Sequence, residues 1–263
     1  SNSRVERDIP MSYVLAGSLV LAFVISVLPQ FPGTFPSTLL MSLLVVVFGF
    51  FFVTVSSRIV GIIGSSSNPI SGMTIATLMA TCLIFVGLGW TSESHQALAL
   101  MVGAIVCIAA ANAGATSQDL KTGYLVGATP YKQQIGLIIG VLASVAVIGF
   151  TLFLLHNSPY GPIGSEKLSA PQATLMATII KGLLARELPW GLVIVGMMIS
   201  TVIELCGVRS LPVAVGVYLP IATTFPIFIG GMMSALVGFI TKRKEESEVS
   251  SGMLYSTGLV AGG

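Results

Sequence analysis

What most constrains this chain is where its charges are missing. Between Met11 and Ser57 there is no Asp, Glu, Lys, Arg or His; Ile59 to Ser92 is again free of them, and so is Ser210 to Thr241. A hydrocarbon core roughly 30 Å thick is crossed by about 20 apolar residues in helical form. Several uncharged runs of that length specify a polytopic membrane protein. Lipid offers no partner to an open sheet edge, so the runs are helices even where β-branched and aromatic residues dominate, as in "LLVVVFGFFFVTV". The expected fold is all-α, a polytopic membrane helix bundle with discontinuous or re-entrant helices.

The apolar runs predict spans at Tyr13–Leu28, Ser37–Ser57, Ile70–Trp90, Gln96–Ala113, Gln133–Leu155 and Pro189–Leu205. Pro29, Pro32 and Pro36 keep the first connection out of helix. In Pro171–Glu187 the residues Leu175, Met176, Ile179, Ile180, Leu183 and Leu184 recur at helical spacing, with Lys181 and Arg186 off that stripe. The pattern predicts an amphipathic helix at the membrane interface, with a short buried half-span as the competing reading.

Ser210–Thr241 fits neither one crossing nor two. As one helix it would be about 48 Å long, and two crossings need about 40 residues before any turn. Pro212, Pro220 and Pro226 divide it, which suits a discontinuous pair with non-helical backbone near Tyr218–Phe225. With the N-terminus in the cytoplasm, a segment that returns to its starting side puts nine Lys and Arg inside and three (Lys167, Lys181, Arg186) outside. A single crossing there gives six and six and loses the positive-inside bias. The re-entrant hairpin is therefore expected, with Lys121–Lys132 and Lys242–Lys244 on one, cytoplasmic, side.

Other classes are excluded on composition. A net charge of +2 is too small for a nucleic-acid partner, and "TKRKEESE" mixes both signs. Cys82, Cys107 and Cys206 form no CxxC pair, and neither His95 nor His156 has a second histidine at ligand spacing, so no disulfide, metal or cofactor is expected. The first apolar run lacks a small-residue cleavage site, so no cleavable signal peptide is expected. Residues 1–263 read as a single transmembrane region. The chain starts without methionine and stops at "STGLVAGG" in what resembles the first turns of another helix, so it is expected to be part of a longer polypeptide.

Two polar stretches interrupt the apolar pattern. In "RIVGIIGSSSNPISGMT" the residues Ser65, Ser66, Ser67, Asn68, Ser71 and Thr74 surround a Pro69 suited to a helix's first turn. Free backbone N–H groups and hydroxyls there could hold an anionic group, as in discontinuous transporter helices; a plain N-cap by Asn68 or Ser67 is the alternative. In "NAGATSQDLKTGYLVGATPYKQQ" the residues Asn112, Thr116 and Asp119 would share a face if the helix from Gln96 ran past Ala113, with Gln118 and Lys121 beside them. A juxtamembrane Asp119 paired with Lys121 is the alternative; a carboxylate at membrane depth would be a functional group by default. Tyr218, Thr223 and Thr224 flank the Pro220 break, and Glu204 precedes Arg209 closely enough for an interfacial ion pair. Gly136–Gly140 and Gly258–Gly262 are GxxxG spacings that permit close helix approach.

The blocks "SSRIVGIIGSSSNPISGMTIATL", "NAGATSQDLKTGYLVGATPYKQQIGLIIG", "APQATLMATIIKGLL" and "LPVAVGVYLPIATTFPIFIGG" resemble, in order, the C-terminal part of the oligopeptide transporter family, prokaryotic branch. "QDLKTGYLVGATP" also resembles the yellow-stripe-like members, which take up metal chelates. The resemblance implies a secondary active transporter of small oligopeptides or peptide-like metal chelates, driven by protons, in a bacterial inner membrane. Its implied partners are the lipid bilayer, the substrate and the N-terminal part of the same protein, and a homo-oligomer is compatible with it. Asp119 and Glu204 are the proton-coupling candidates, and Asn68, Ser71, Asn112 and Asp119 are expected to share one polar cavity in the full-length protein, with Lys121 at its cytoplasmic edge. An intramembrane enzyme lacks its constellation, because beyond Asp8 and Asp119 there is no further aspartate and neither histidine has a partner. A passive channel or a structural subunit of a membrane assembly is the alternative function.

Overall fold

The computed structural model describes Arg4 and residues 7–65, 68–159, 161–165, 167–168, 170–185, 189–218, 221–241, 252 and 255. The described residues are helical throughout their regular structure: α1 (Met11–Val27), α2 (Phe35–Ile63), α3 (Ile70–Gly87), α4 (Glu93–Leu125), α5 (Pro130–His156), α6 (Pro171–Leu184), α7 (Trp190–Leu205), α8 (Ser210–Tyr218) and α9 (Ile221–Thr241). Four of them, α2 to α5, are long and apolar enough to cross a membrane. The chain forms two compact units, residues 1–190 and 191–263.

In the first unit, α2, α3 and α4 make the core. Met41 and Leu44 from α2, Leu78, Cys82 and Phe85 from α3, and Leu98, Val102 and Val106 from α4 are buried together. Neighbour contacts fix the register. Ser56 of α2 meets Ala110 of α4 and Val60 meets Gly114, so α2 and α4 run parallel. Leu78 of α3 lies against Gly103 and Asn68 lies against Gly114, so α3 packs on α4 and runs antiparallel to it. Gly103 is a packing requirement, since a Cβ there would collide with the Leu78 side chain. Buried Thr74, Thr77 and Thr81 on α3 return their hydroxyls to the carbonyls of Ile70, Met73 and Thr77, which satisfies them without a partner helix.

Helix α6 forms over the amphipathic stretch. Its stripe of Ile180, Leu183 and Leu184 is buried, and Met176 and Ile179 pack against the same core, so the apolar face is spent on protein rather than on lipid. At the opposite end of α4's first turn, Trp90 stacks on His95 with centroids 5.2 Å apart, and Phe85 closes the cluster.

Helix α4 is longer than the apolar run that announced it. It continues past Ala113 to Leu125, so the stretch rich in amide, carboxylate and ammonium groups is helix, not a wetted loop. The turn after it uses Gly127 at φ 74°, a backbone conformation that glycine adopts without penalty. Helix α5 then departs from the bundle: Pro130 is its one buried residue, and Ile138 onward is exposed.

The N-terminal residues are clasped onto this elbow. The Arg4 guanidinium donates to the Gly127 carbonyl (2.8 Å) and the Tyr131 N–H to the Arg7 carbonyl (2.9 Å). Gln134 accepts from the Ile9 N–H (3.0 Å) and donates to Asp8 Oδ1 (3.1 Å). These bonds satisfy a carbonyl beyond the end of α4 and a donor in the first turn of α5, groups that helix termini leave without intrahelical partners.

In the second unit the expected non-helical stretch Tyr218–Phe225 is smaller than the prolines suggested. α9 starts at Ile221 and carries Pro226 inside it, while Leu219 and Pro220 lie outside the described residues. The Glu204 carboxylate does not close an ion pair with Arg209; it accepts the Ser210 N–H at 2.8 Å and so holds the start of α8. Lys242–Lys244 and Gly258–Gly262 also lie outside the described residues.

Candidate functional site

The two polar stretches part company in three dimensions. Asn68 turns toward α2, where its amide donates to Ser56 Oγ at 2.7 Å, and Ser56 in turn donates to the Ala110 carbonyl at 2.5 Å. A Cβ on Gly114 would come within 3.1 Å of the Asn68 amide nitrogen and 2.9 Å of a Val60 methyl. Asn68 thus knots α2, the approach to α3, and α4 together, and it does not cap α3. The N-cap position belongs to Pro69, with no side-chain cap. Among the described residues the buried Asn68 Oδ1 atom has no hydrogen-bond partner.

Asn112 and Asp119 face elsewhere. Both line a groove of about 1260 Å³ between α4 and α5, together with Thr122, Gly123 and Gln133 near the elbow and a largely apolar wall beyond. Asn68 and Ser71 do not line it. The reason is helical phase: Ala110 and Gly114 present one side of α4 to α2 and α3, while Asn112 and Asp119 occupy another. Thr116 is half-buried outside the groove lining, and Gln118 is exposed.

The groups on the groove wall are free to act. Among the described residues no hydrogen bond or ion pair engages the Asn112 amide or the Asp119 carboxylate, and both residues are exposed. The alternative Asp119–Lys121 pair does not form among the described residues; the Lys121 ammonium sits 5.4 Å from the centroid of the Tyr124 ring. By the register of Val60 with Gly114, Asp119 lies about 3 Å beyond the end of α2 along the axis. That places the carboxylate at the end of the bundle rather than at its midplane.

Gln133 was not singled out by the sequence. Its side chain lies flat against Gly123, where a Cβ would collide with it, and its Nε2 donates to the Asp119 backbone carbonyl at 3.1 Å. Its buried Oε1 has no hydrogen-bond partner among the described residues. The signal was available: Gly123 continues the heptad spacing from Thr116, and Gln133 falls within one turn of Pro130.

The other candidates are placed less informatively. Ser65 is exposed and its carbonyl accepts the Asn68 N–H at 3.3 Å, Ser71 is half-buried, and Thr74 is occupied with the Ile70 carbonyl. Ser66, Ser67 and the side chains of Tyr218 and Thr223 lie outside the described residues; Thr224 Oγ1 donates to the Ile221 carbonyl at 3.4 Å. Among the described residues no cluster of His, Cys, Asp or Glu could hold a metal ion.

A helix bundle with four helices long and apolar enough to cross a membrane is an integral membrane protein. The chain belongs to the OPT oligopeptide transporter family, whose model matches residues 1–263. It is 33% identical to a Haemophilus influenzae protein described as "Putative oligopeptide transporter", over all of this chain and 48% of that protein. A Saccharomyces cerevisiae protein given the same description is 24% identical over 74% of this chain and 28% of its own length. The chain spans half or less of the length of these relatives. No solved structure matches it.

Proposed function

We propose that these 263 residues are the C-terminal part of a secondary active transporter for small oligopeptides, and that the α4–α5 groove is one wall of its substrate path. The observation that carries this reading is the pairing of Asn112 and Asp119, unengaged and a heptad apart, on the wall of a large groove in a membrane helix bundle. A peptide is a zwitterion with amide donors and acceptors. An Asn amide offers both functions and an Asp carboxylate accepts from an ammonium or takes up a proton. Family membership supplies the substrate class, since both relatives are described as oligopeptide transporters. Proton coupling fits Asp119 better than Glu204, because the Glu204 carboxylate already holds the Ser210 N–H. Peptide-like metal chelates are compatible with the same wall, as they carry the carboxylate and amine groups of a peptide.

The deciding experiment is uptake of labelled di- to pentapeptides and of metal chelates by the full-length protein in proteoliposomes, with and without an imposed proton gradient. Accumulation of peptide above the outside concentration, abolished by a protonophore, is the expected result. Equilibration without accumulation would establish the passive channel instead.

Orientation follows from the elbow. Arg4, Arg7, Lys121 and Lys132 collect there, and the positive-inside rule assigns such an end to the cytoplasm of a bacterial inner membrane. A cysteine replacing Thr129 should stay unlabelled by an impermeant thiol reagent added to intact cells, and one replacing Ser158 should be labelled. Labelling of the Thr129 position from outside would invert the topology and place Asp119 at the outer face.

A further inference from the structure

Two helices joined by a tight turn normally pack along their length. Here α4 and α5 meet at the elbow, through Gln133 on Gly123, and then diverge around the groove. The wall that α5 turns toward α4 carries Gly136, Gly140, Ser144 and Gly149, and none of these glycines has a neighbour within 4 Å of where a Cβ would stand. Small residues let a helix backbone approach closely and gain dispersion energy that acyl chains do not provide. Acyl chains are also a poor filling because the facing wall presents the Asn112 amide, which lipid leaves unsatisfied.

We propose that the α4–α5 wedge seats a transmembrane helix from the part of the full-length protein outside residues 1–263. This rests on the reading of the chain as a C-terminal part. Two observations choose that occupant over a second copy. The Haemophilus influenzae relative contains about as much chain again as the part matched here. Arg4, Arg7, Asp8 and Ile9 are clasped at Gly127, Tyr131 and Gln134, so on the reading of the chain as a C-terminal part the polypeptide preceding Arg4 arrives at the narrow end of the wedge. The seated helix fills the apolar length between Leu137 and Leu152 and leaves the polar end at Asp119, Thr122 and Gln133 open, which puts the substrate path at the junction of the two parts.

The test uses the full-length protein with a protease site engineered just before residue 1. A photoreactive amino acid replaces Val145, on the groove wall, or Leu142, exposed but off it. After irradiation in the native membrane and cleavage, the Val145 probe should join residues 1–263 to the preceding part, and the Leu142 probe should do so several-fold less. Adducts between two copies of residues 1–263, adducts to residues 191–263 of the same chain, or labelled lipid alone would each overturn the proposal. A second measurement needs no probe. A Cβ at Gly140 meets nothing within 4 Å among the described residues, so Gly140→Leu should cause several-fold loss of co-purification of the two fragments after cleavage, while Ile139→Leu leaves it unchanged. Equal retention in both variants would also overturn it. Because neither readout involves uptake, a failure here is distinct from a failure to transport peptides.

Discussion

Asp119→Asn is expected to lower peptide uptake roughly tenfold to a hundredfold, the loss of one charge-assisted hydrogen bond to a substrate ammonium. Membrane insertion and the thermal unfolding midpoint should stay nearly unchanged. The second expectation follows from the structure: the carboxylate is exposed and engages no described residue, so the fold gives up nothing when its charge is removed. Asn is close to isosteric, and the Asp119 backbone carbonyl, which accepts from Gln133, is untouched. If the residue takes up the coupling proton, Asn also abolishes the response to a proton gradient while leaving downhill exchange measurable. Uptake per inserted molecule is the quantity to compare. Normal uptake per molecule in a poorly folding variant would make Asp119 a structural residue, and normal uptake with normal folding would remove the groove from the path. Asn112→Leu adds a check on the same wall, since it should block or dry the groove without unfolding α4.

The elements legible in the sequence were those set by one physical demand, the absence of charge across a hydrocarbon layer. Tyr13–Leu28 and Gln133–Leu155 were read within a few residues of α1 and α5 for that reason. The same demand misplaced the end of α4, because hydropathy marks where a helix leaves the membrane and not where it stops. Gln118, Leu120 and Lys121 are good helix formers, and nothing before Gly127 breaks the helix. The alignment of Asn112 with Asp119 was legible once that continuation was granted, since it needs only the helical period. Asn68 was not, because spacing offers a nearby helix start to cap, whereas its actual partner, Ser56, stands on a different helix. Gln133 was missed for the same kind of reason: its partner, Gly123, lies across a turn. Local period reports the faces of one helix; which faces meet depends on packing.

That distinction has a measurable form at Gly114. Gly114→Val is expected to destabilise the protein by about 1–3 kcal/mol, the usual result of forcing atoms into a packed helix interface. The added Cβ would stand 2.9 Å from a Val60 methyl and 3.1 Å from the Asn68 amide nitrogen, both tighter than ordinary contact. Either α2 moves away from α4 or Asn68 leaves Ser56. Asn68→Ala removes the second obstacle and by itself should cost about 1 kcal/mol, the net worth of one hydrogen bond. Because both changes act on the same contact, the double variant should lose less than the two single losses added together, with a coupling in the range of about 0.5–3 kcal/mol. Such coupling would establish that Asn68 serves the junction of α2, α3 and α4. Additive losses, together with uptake by Asn68→Ala reduced far beyond its loss of folded protein, would overturn this and return Asn68 to the substrate path. The outcome decides whether the polar stretch before α3 is scaffold or site, and Ser56→Ala offers the independent check. Removing the hydroxyl that links Asn68 to the Ala110 carbonyl should mimic Asn68→Ala in stability and leave uptake per folded molecule unchanged.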